Sequence, residues 1–148
     1  MKRFLAYARD LTVAERKIWE QAGFDIVTAD AAATCGEEDP PIDLALLGAS
    51  EFLPESLTPK VFVVSAKTAG DASPDWQRRY EVRFYSAGAH GWIIGSKTET
   101  PPPNDWGVLL VEKNVAAFAE SLYYYLLRDV FRETAEWCGH MSSVVRRL

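Results

Sequence analysis

Apolar and polar positions change period repeatedly along the chain, and each change marks an element. Phe4 to Ala8 is a short, nearly apolar run that predicts a buried strand. Thr12-Val13-Ala14-Glu15 then has the S/T-x-x-E form of a capping box. Val13, Ile18, Trp19 and Ala22 follow at helical spacing, and Gly23 supplies the stop. Phe24 to Thr28 reads as a second strand. The stretch from Ala31 to Pro41, with Gly36, three consecutive acids and Pro40-Pro41, reads as a surface loop. Ile42 to Leu47 and Val61 to Ala66 are apolar enough to predict strands buried on both faces. Between them, Ser50 to Lys60 holds two prolines and leaves room for a short helical turn.

Ser73-Pro74-Asp75-Trp76 pairs a capping serine with proline at the first helical position. The spacing predicts a helix running to about Phe84. Gly91 to Gly95 predicts another strand, Thr100 to Asp105 a rigid proline connector, and Trp106 to Glu112 a last strand. Val115, Phe118, Leu122, Leu126, Val130 and Phe131 recur at helical spacing and predict a long amphipathic helix, stopped at Gly139, with a further turn before Leu148. Strands alternating with helices predict one α/β domain over residues 1–148. The expected form is a three-layer sandwich with a mixed central sheet of about five to six strands and a long C-terminal helix.

Composition narrows the class rather than changing the fold. With 148 residues the chain is long enough for one core, and no apolar run approaches the roughly 20 residues of a membrane span. Charge interrupts the N-terminal segment too early for a signal-peptide core. Cys35 and Cys138 stand alone, as free thiols of a reducing compartment would, so the expected location is cytoplasmic. The net charge of −5 argues against a protein that holds nucleic acid by bulk electrostatics. Local patches stay open at Arg78, Arg79 and Arg83, and at Arg128, Arg132, Arg146 and Arg147; scattered solvated charges are the alternative.

Several segments stand in a telling order. Asp43 enters one expected strand, and Ser65-Ala66-Lys67 closes the next. A helix with Trp76 and Tyr80 follows, then Gly91-Trp92-Ile93-Ile94, then three prolines leading into Trp106-Gly107-Val108-Leu109-Leu110-Val111. This order resembles the PD-(D/E)xK nuclease superfamily. The resemblance implies a protein that binds or cleaves nucleic acid with Mg²⁺. Asp43 would be a metal ligand and catalytic residue, Lys67 the catalytic lysine, and Glu20 on the first helix a further metal ligand. Ser65 stands where the family has its second acid, and a hydroxyl is a poor Mg²⁺ ligand beside a carboxylate. A nuclease fold that has lost activity and kept a binding surface is therefore an equal expectation, unless Asp71, Asp75 or Glu81 replaces the acid. The plainer alternative is that Asp43 caps a strand end and Lys67 marks where a strand reaches water.

Other segments are similar to receiver domains of two-component signalling: Gln21 to Ala29, Asp43 to Leu47, Val63 to Lys67 and Gly88 to Trp92. Ser65 would match the hydroxyl that meets a phosphoryl group. Gly48, however, stands where the phosphoacceptor aspartate belongs, and Gly48 to Ser65 leaves little chain for a parallel crossover. This implies at most a pseudo-receiver: a non-catalytic regulatory or protein-interaction module. Its surface for a protein partner, or for a homodimer, would be the C-terminal helix with Tyr123-Tyr124-Tyr125 and Trp137, at least one of the three tyrosines being exposed. The alternative for that helix is plain packing on the sheet through Phe118, Leu122 and Leu126. His90 and His140 lack metal-ligand spacing with either cysteine, and no P-loop, GxGxxG or nucleophile elbow is present.

Overall fold

The structure, a computed structural model, describes residues 2–28, 42–48, 58–97, 101–110 and 114–147, with the backbone alone for 69 and 133–147. Strand β1 (Phe4–Ala8), helix α1 (Val13–Ala22) and strand β2 (Phe24–Val27) open the fold. The capping box forms: the Glu15 amide donates to Thr12 Oγ1 at 3.2 Å, and Thr12 Oγ1 donates to Glu15 Oε1 at 2.9 Å. Gly23 ends α1 at φ 119°, in the left-handed region that glycine adopts without steric penalty. Strands β3 (Leu44–Leu47) and β4 (Val61–Ala66) follow, then helix α2 (Pro74–Arg79), strands β5 (Glu81–Ala87) and β6 (His90–Ser96), helix α3 (Trp106–Leu109) and helix α4 (Val115–Arg147).

The six strands form one mixed sheet in the order β2-β1-β3-β4-β6-β5. Its first four strands are parallel, whereas β6 runs antiparallel to both β4 and β5. The shortness of the interval after Gly48 therefore did not prevent a parallel crossover: β3 and β4 lie side by side in the same direction, Leu44 opposite Val61 and Leu47 opposite Val64.

Alternation along the strands divides two apolar clusters. Phe4, Phe24, Leu44, Val61, Val63 and Ile94 face α1, α3 and α4, meeting Trp19, Trp106, Phe118 and Leu122. Tyr7, Ala45, Leu47, Phe62, Val64 and Ile93 face the other way, toward Trp76 and Tyr80 around α2. The result is the three-layer α/β arrangement. Among the described residues the second face carries only the short α2 and the turn before it. No helix of the described residues is long and apolar enough to cross a membrane.

Three expected elements differ. The helix from Pro74 stops at Arg79, because Tyr80 turns extended at φ −133° and ψ 148°. Glu81–Ala87 then becomes an edge strand, joined to β6 by the two residues between Ala87 and His90. Gly88, at φ 65°, takes the first central position of that turn. The strand expected from Trp106 is a short helix at Trp106–Leu109, with residues 111–113 outside the described set. Trp106 is held there edge-on against Phe118 and Tyr125, with ring centroids 5.7 and 5.1 Å away. Gly139 does not end the last helix, whose backbone continues to Arg147. The loop from Ala31 to Pro41, most of Ser50 to Lys60, and the side chains of Trp137, Cys138 and His140 lie outside the described residues.

Candidate functional site

A parallel sheet has chemically different ends, and the two ends of this one hold different residues. Asp43 lies at the amino end of β3. Its carboxylate accepts from the Leu5 amide at 3.0 Å, and its own amide donates to the Leu5 carbonyl at 2.9 Å. Its carbonyl accepts from the Lys60 and Val61 amides, both at 3.1 Å. Asp43 thereby joins three neighbouring strands. Burial pushes its carboxyl above the ordinary aspartate value, against the Leu5 amide and the nearby Lys60 and Lys2 charges, which pull the other way.

Glu20 is near the same end, on the last turn of α1, and accepts from Arg16 Nε at 2.7 Å. Asp43, however, shares the alternation of Ala45 and Leu47, which face the second cluster, while α1 packs on the first. The sheet separates the two carboxylates. Lys67 is at the opposite end altogether: it follows β4, six residues beyond the partner of Leu44, which is roughly 20 Å along a strand. The structure does not bring Asp43, Glu20 and Lys67 together. Among the described residues no group of three or more metal-ligating side chains forms.

Of the acids that could replace the one absent at Ser65, Asp71 is held by the backbone at Lys67 itself and Asp75 by an arginine. Asp71 Oδ2 accepts from the Lys67 and Thr68 amides at 2.8 and 3.1 Å, which lowers its pKa and closes the turn after β4. Asp75 pairs with Arg78. Glu81 begins β5. Among the described residues of the two arginine groups, Arg83 donates to Asn104 Oδ1 at 2.8 Å and Arg128 lies over the Tyr125 ring at 5.5 Å, while the side chains of Arg146 and Arg147 lie outside the described residues.

At the carboxyl end of β1, β3 and β4 a cleft of about 310 Å³ opens on the α1 and α4 side. The strand order reverses direction between β1 and β3, so this is the topological switch point, where open α/β sheets place ligands. Arg9, Asp10 and Leu11 follow β1, Gly48 follows β3, and Ser65 is the last outward position of β4; all line the cleft. Ser65 pairs across the strands with Trp92, another wall residue. Trp19 and Glu15 of α1, and Val115 and Phe118 of α4, form the facing wall. Arg9, Asp10 and Ser65 are exposed, and their side chains make no hydrogen bond or ion pair among the described residues. The sequence pointed to Ser65 and Gly48; Arg9, Asp10 and Trp92 were missed, although Arg9-Asp10 directly after the first strand was a readable signal.

Compared with known proteins, the chain matches no family model, no curated protein and no solved structure.

Proposed function

We propose that this chain is a non-catalytic protein-interaction or regulatory module, pseudo-receiver-like in its first four strands, which recognises its ligand at the carboxyl end of the parallel strands. The observation that carries this reading is the cleft at the switch point between β1 and β3. Gly48 stands at the end of the middle strand there, so a phosphoacceptor carboxylate is replaced by a residue with no side chain. Binding without phosphoryl transfer is what this arrangement supports. A second observation favours a protein partner for the same module: α4 is 33 residues long and leaves Tyr124 and Phe131 exposed at 59% and 64%, while Tyr123 and Tyr125 are buried.

The nuclease-type reading, with Mg²⁺ and a nucleic-acid partner, needs Asp43 and Lys67 within reach of one phosphate. Their separation of roughly 20 Å counts against it, since one metal–phosphate site spans only a few ångströms. The discriminating assay incubates the protein with Mg²⁺ and either plasmid or single-stranded DNA, alongside Asp43→Ala and Lys67→Ala. The regulatory reading expects no metal-dependent cleavage by any of the three, and no acyl-phosphate formation from acetyl phosphate. Cleavage by the natural chain that both substitutions abolish would replace this reading with the nuclease one.

A further inference from the structure

We propose that the outer edge of β5 is a dimerisation surface, on which a second copy of this chain adds its own β5 antiparallel about a two-fold axis at Phe84. This surface lies apart from the cleft and does not depend on the regulatory reading.

An edge strand leaves every second N–H and C=O without a ladder partner, and proteins keep such edges short, interrupted or covered. The two edges of this sheet differ in that respect. Strand β2 has four residues, and its Asp25 is tied to Arg3. Strand β5 has seven, with neither proline nor bulge: Glu81 to Ala87 pair one for one with Ser96 to His90. Val82, Phe84 and Tyr85 are also residue types that favour strands.

The hydrogen bonding of β6 fixes which groups of β5 face outward. Lys97, one residue beyond β6, donates its amide to the Lys60 carbonyl at 3.0 Å. The odd-numbered residues of β6 therefore turn to β4 and the even-numbered ones to β5. Their opposites, Glu81, Arg83, Tyr85 and Ala87, are used within the hairpin. Val82, Phe84 and Ser86 direct N–H and C=O away from the sheet, and these groups have no partner among the described residues.

That pattern complements itself. Phe84 is the middle of the seven residues, with Val82 and Ser86 equally spaced on either side. A two-fold axis there sets Phe84 against the partner's Phe84 and Val82 against the partner's Ser86. Each such pair exchanges two hydrogen bonds, so every outward group of both strands is satisfied. An axis at Arg83 would oppose two guanidinium groups, and one at Tyr85 would leave Val82 with no strand residue opposite.

Charge and apolar surface agree with this register. Glu81 and His90 are exposed on one face of the sheet, and neither has an ion pair among the described residues. The pairing puts Glu81 beside the partner's Ala87, whose small side chain is all that separates it from the partner's His90. Arg83 keeps its bond to Asn104 and meets no like charge. On the other face Val82 and Phe84 are half-buried, and with Tyr80 and Gln77 they line a hollow of about 430 Å³. The partner's Phe84 would extend the cover on that side.

Sedimentation velocity of the whole chain, from about 1 µM to 1 mM, is expected to show reversible monomer–dimer exchange. Amide hydrogen exchange gives the location. At high concentration the Val82, Phe84 and Ser86 amides should slow, whereas those of Arg83 and Tyr85, bonded to β6, should not respond to concentration. Ser86→Pro removes an exposed outward N–H where an edge strand tolerates proline, and should weaken the dimer at least about tenfold. Tyr124→Ala, at an exposed position of α4, should leave it unchanged. A chain that stays monomeric throughout would overturn the proposal. So would a dimer whose three outward amides exchange freely, or one that Tyr124→Ala dissolves and Ser86→Pro does not. The exchange measurement uses the natural chain, so it decides even where Ser86→Pro fails to fold.

Discussion

The amino and carboxyl ends of the parallel strands are built from similar residue types and put them to different uses. At the amino end Arg3, Asp43 and Tyr123 all have partners within the protein. Arg3 donates to Asp25 Oδ1 at 2.8 Å and to the Glu20 and Phe24 carbonyls, Tyr123 Oη donates to the Lys2 carbonyl at 2.7 Å, and Asp43 binds the Leu5 backbone. At the carboxyl end Arg9, Asp10 and Ser65 surround an open cleft without such partners among the described residues. Polar groups satisfied internally hold strands in register, whereas groups left facing a concave surface are available to something else. A half-buried, perturbed carboxylate such as Asp43 is therefore better explained here by architecture than by catalysis.

The largest expected effect breaks the amino end outright. Phe4 is fully buried and its ring contacts Phe24 and Tyr123, so Phe4→Ala should cost about 3–5 kcal/mol in chemical denaturation. A loss under about 1 kcal/mol would mean that this end is not packed as described. Next comes Asp43→Ala, which removes the acceptor for the Leu5 amide and should cost about 1–2 kcal/mol. Its effect should add to that of Lys67→Ala within about 0.5 kcal/mol, because the two residues share no partner. A coupling well above that would place them in one site after all. At the carboxyl end, Arg9→Ala and Ser65→Ala should leave stability within about 0.5 kcal/mol of the natural chain, since neither side chain is bonded among the described residues.

The smallest effect is on pH dependence. The folded pKa of Asp43 lies above its unfolded value, so the folded state holds its proton more tightly. The cost of ionising it is absent below the unfolded pKa and appears as pH rises through the folded one. Its contribution should therefore favour the fold on acidification. Asp71 has the opposite sign: its lowered pKa gives stability that is present above the unfolded value and lost as pH falls through the folded one. Comparing stability against pH for the Asp43→Asn and Asp71→Asn variants separates them. Relative to the first variant, the natural chain should hold an advantage in acid that it loses by neutral pH. Relative to the second, it should lose ground in acid. Parallel profiles for all three proteins would contradict both assignments.

How far the sequence could be read follows from which signals were local. The capping box at Thr12, the stop at Gly23, the proline start after Ser73 and the two-faced apolar runs of β3 and β4 depend on near neighbours, and all formed as expected. The helix drawn through Phe84 failed for a definable reason. Trp76, Tyr80 and Phe84 recur every four residues and all pack on the Phe62 side of the sheet, but two of them come from a helix and its end and the third from a strand. Periodic burial was correct while the period was misleading. The run from Trp106 was an apolar segment too short for its pattern to separate helix from strand. Strand direction was not legible at all. Asp43 and Lys67 would adjoin if β3 and β4 ran in opposite directions, and the parallel pairing is what sets them apart. The same pairing gathers Arg9, Gly48 and Ser65 at one end.

The contrast between the two ends is tested most directly by an amide-resolved NMR titration of the natural chain with Mg²⁺. Mg²⁺ is expected to produce no saturable response shared by Asp43 and Lys67, which lie at opposite ends of the paired strands. A saturable Mg²⁺ response common to Asp43 and Lys67 would contradict the assignment of the two ends.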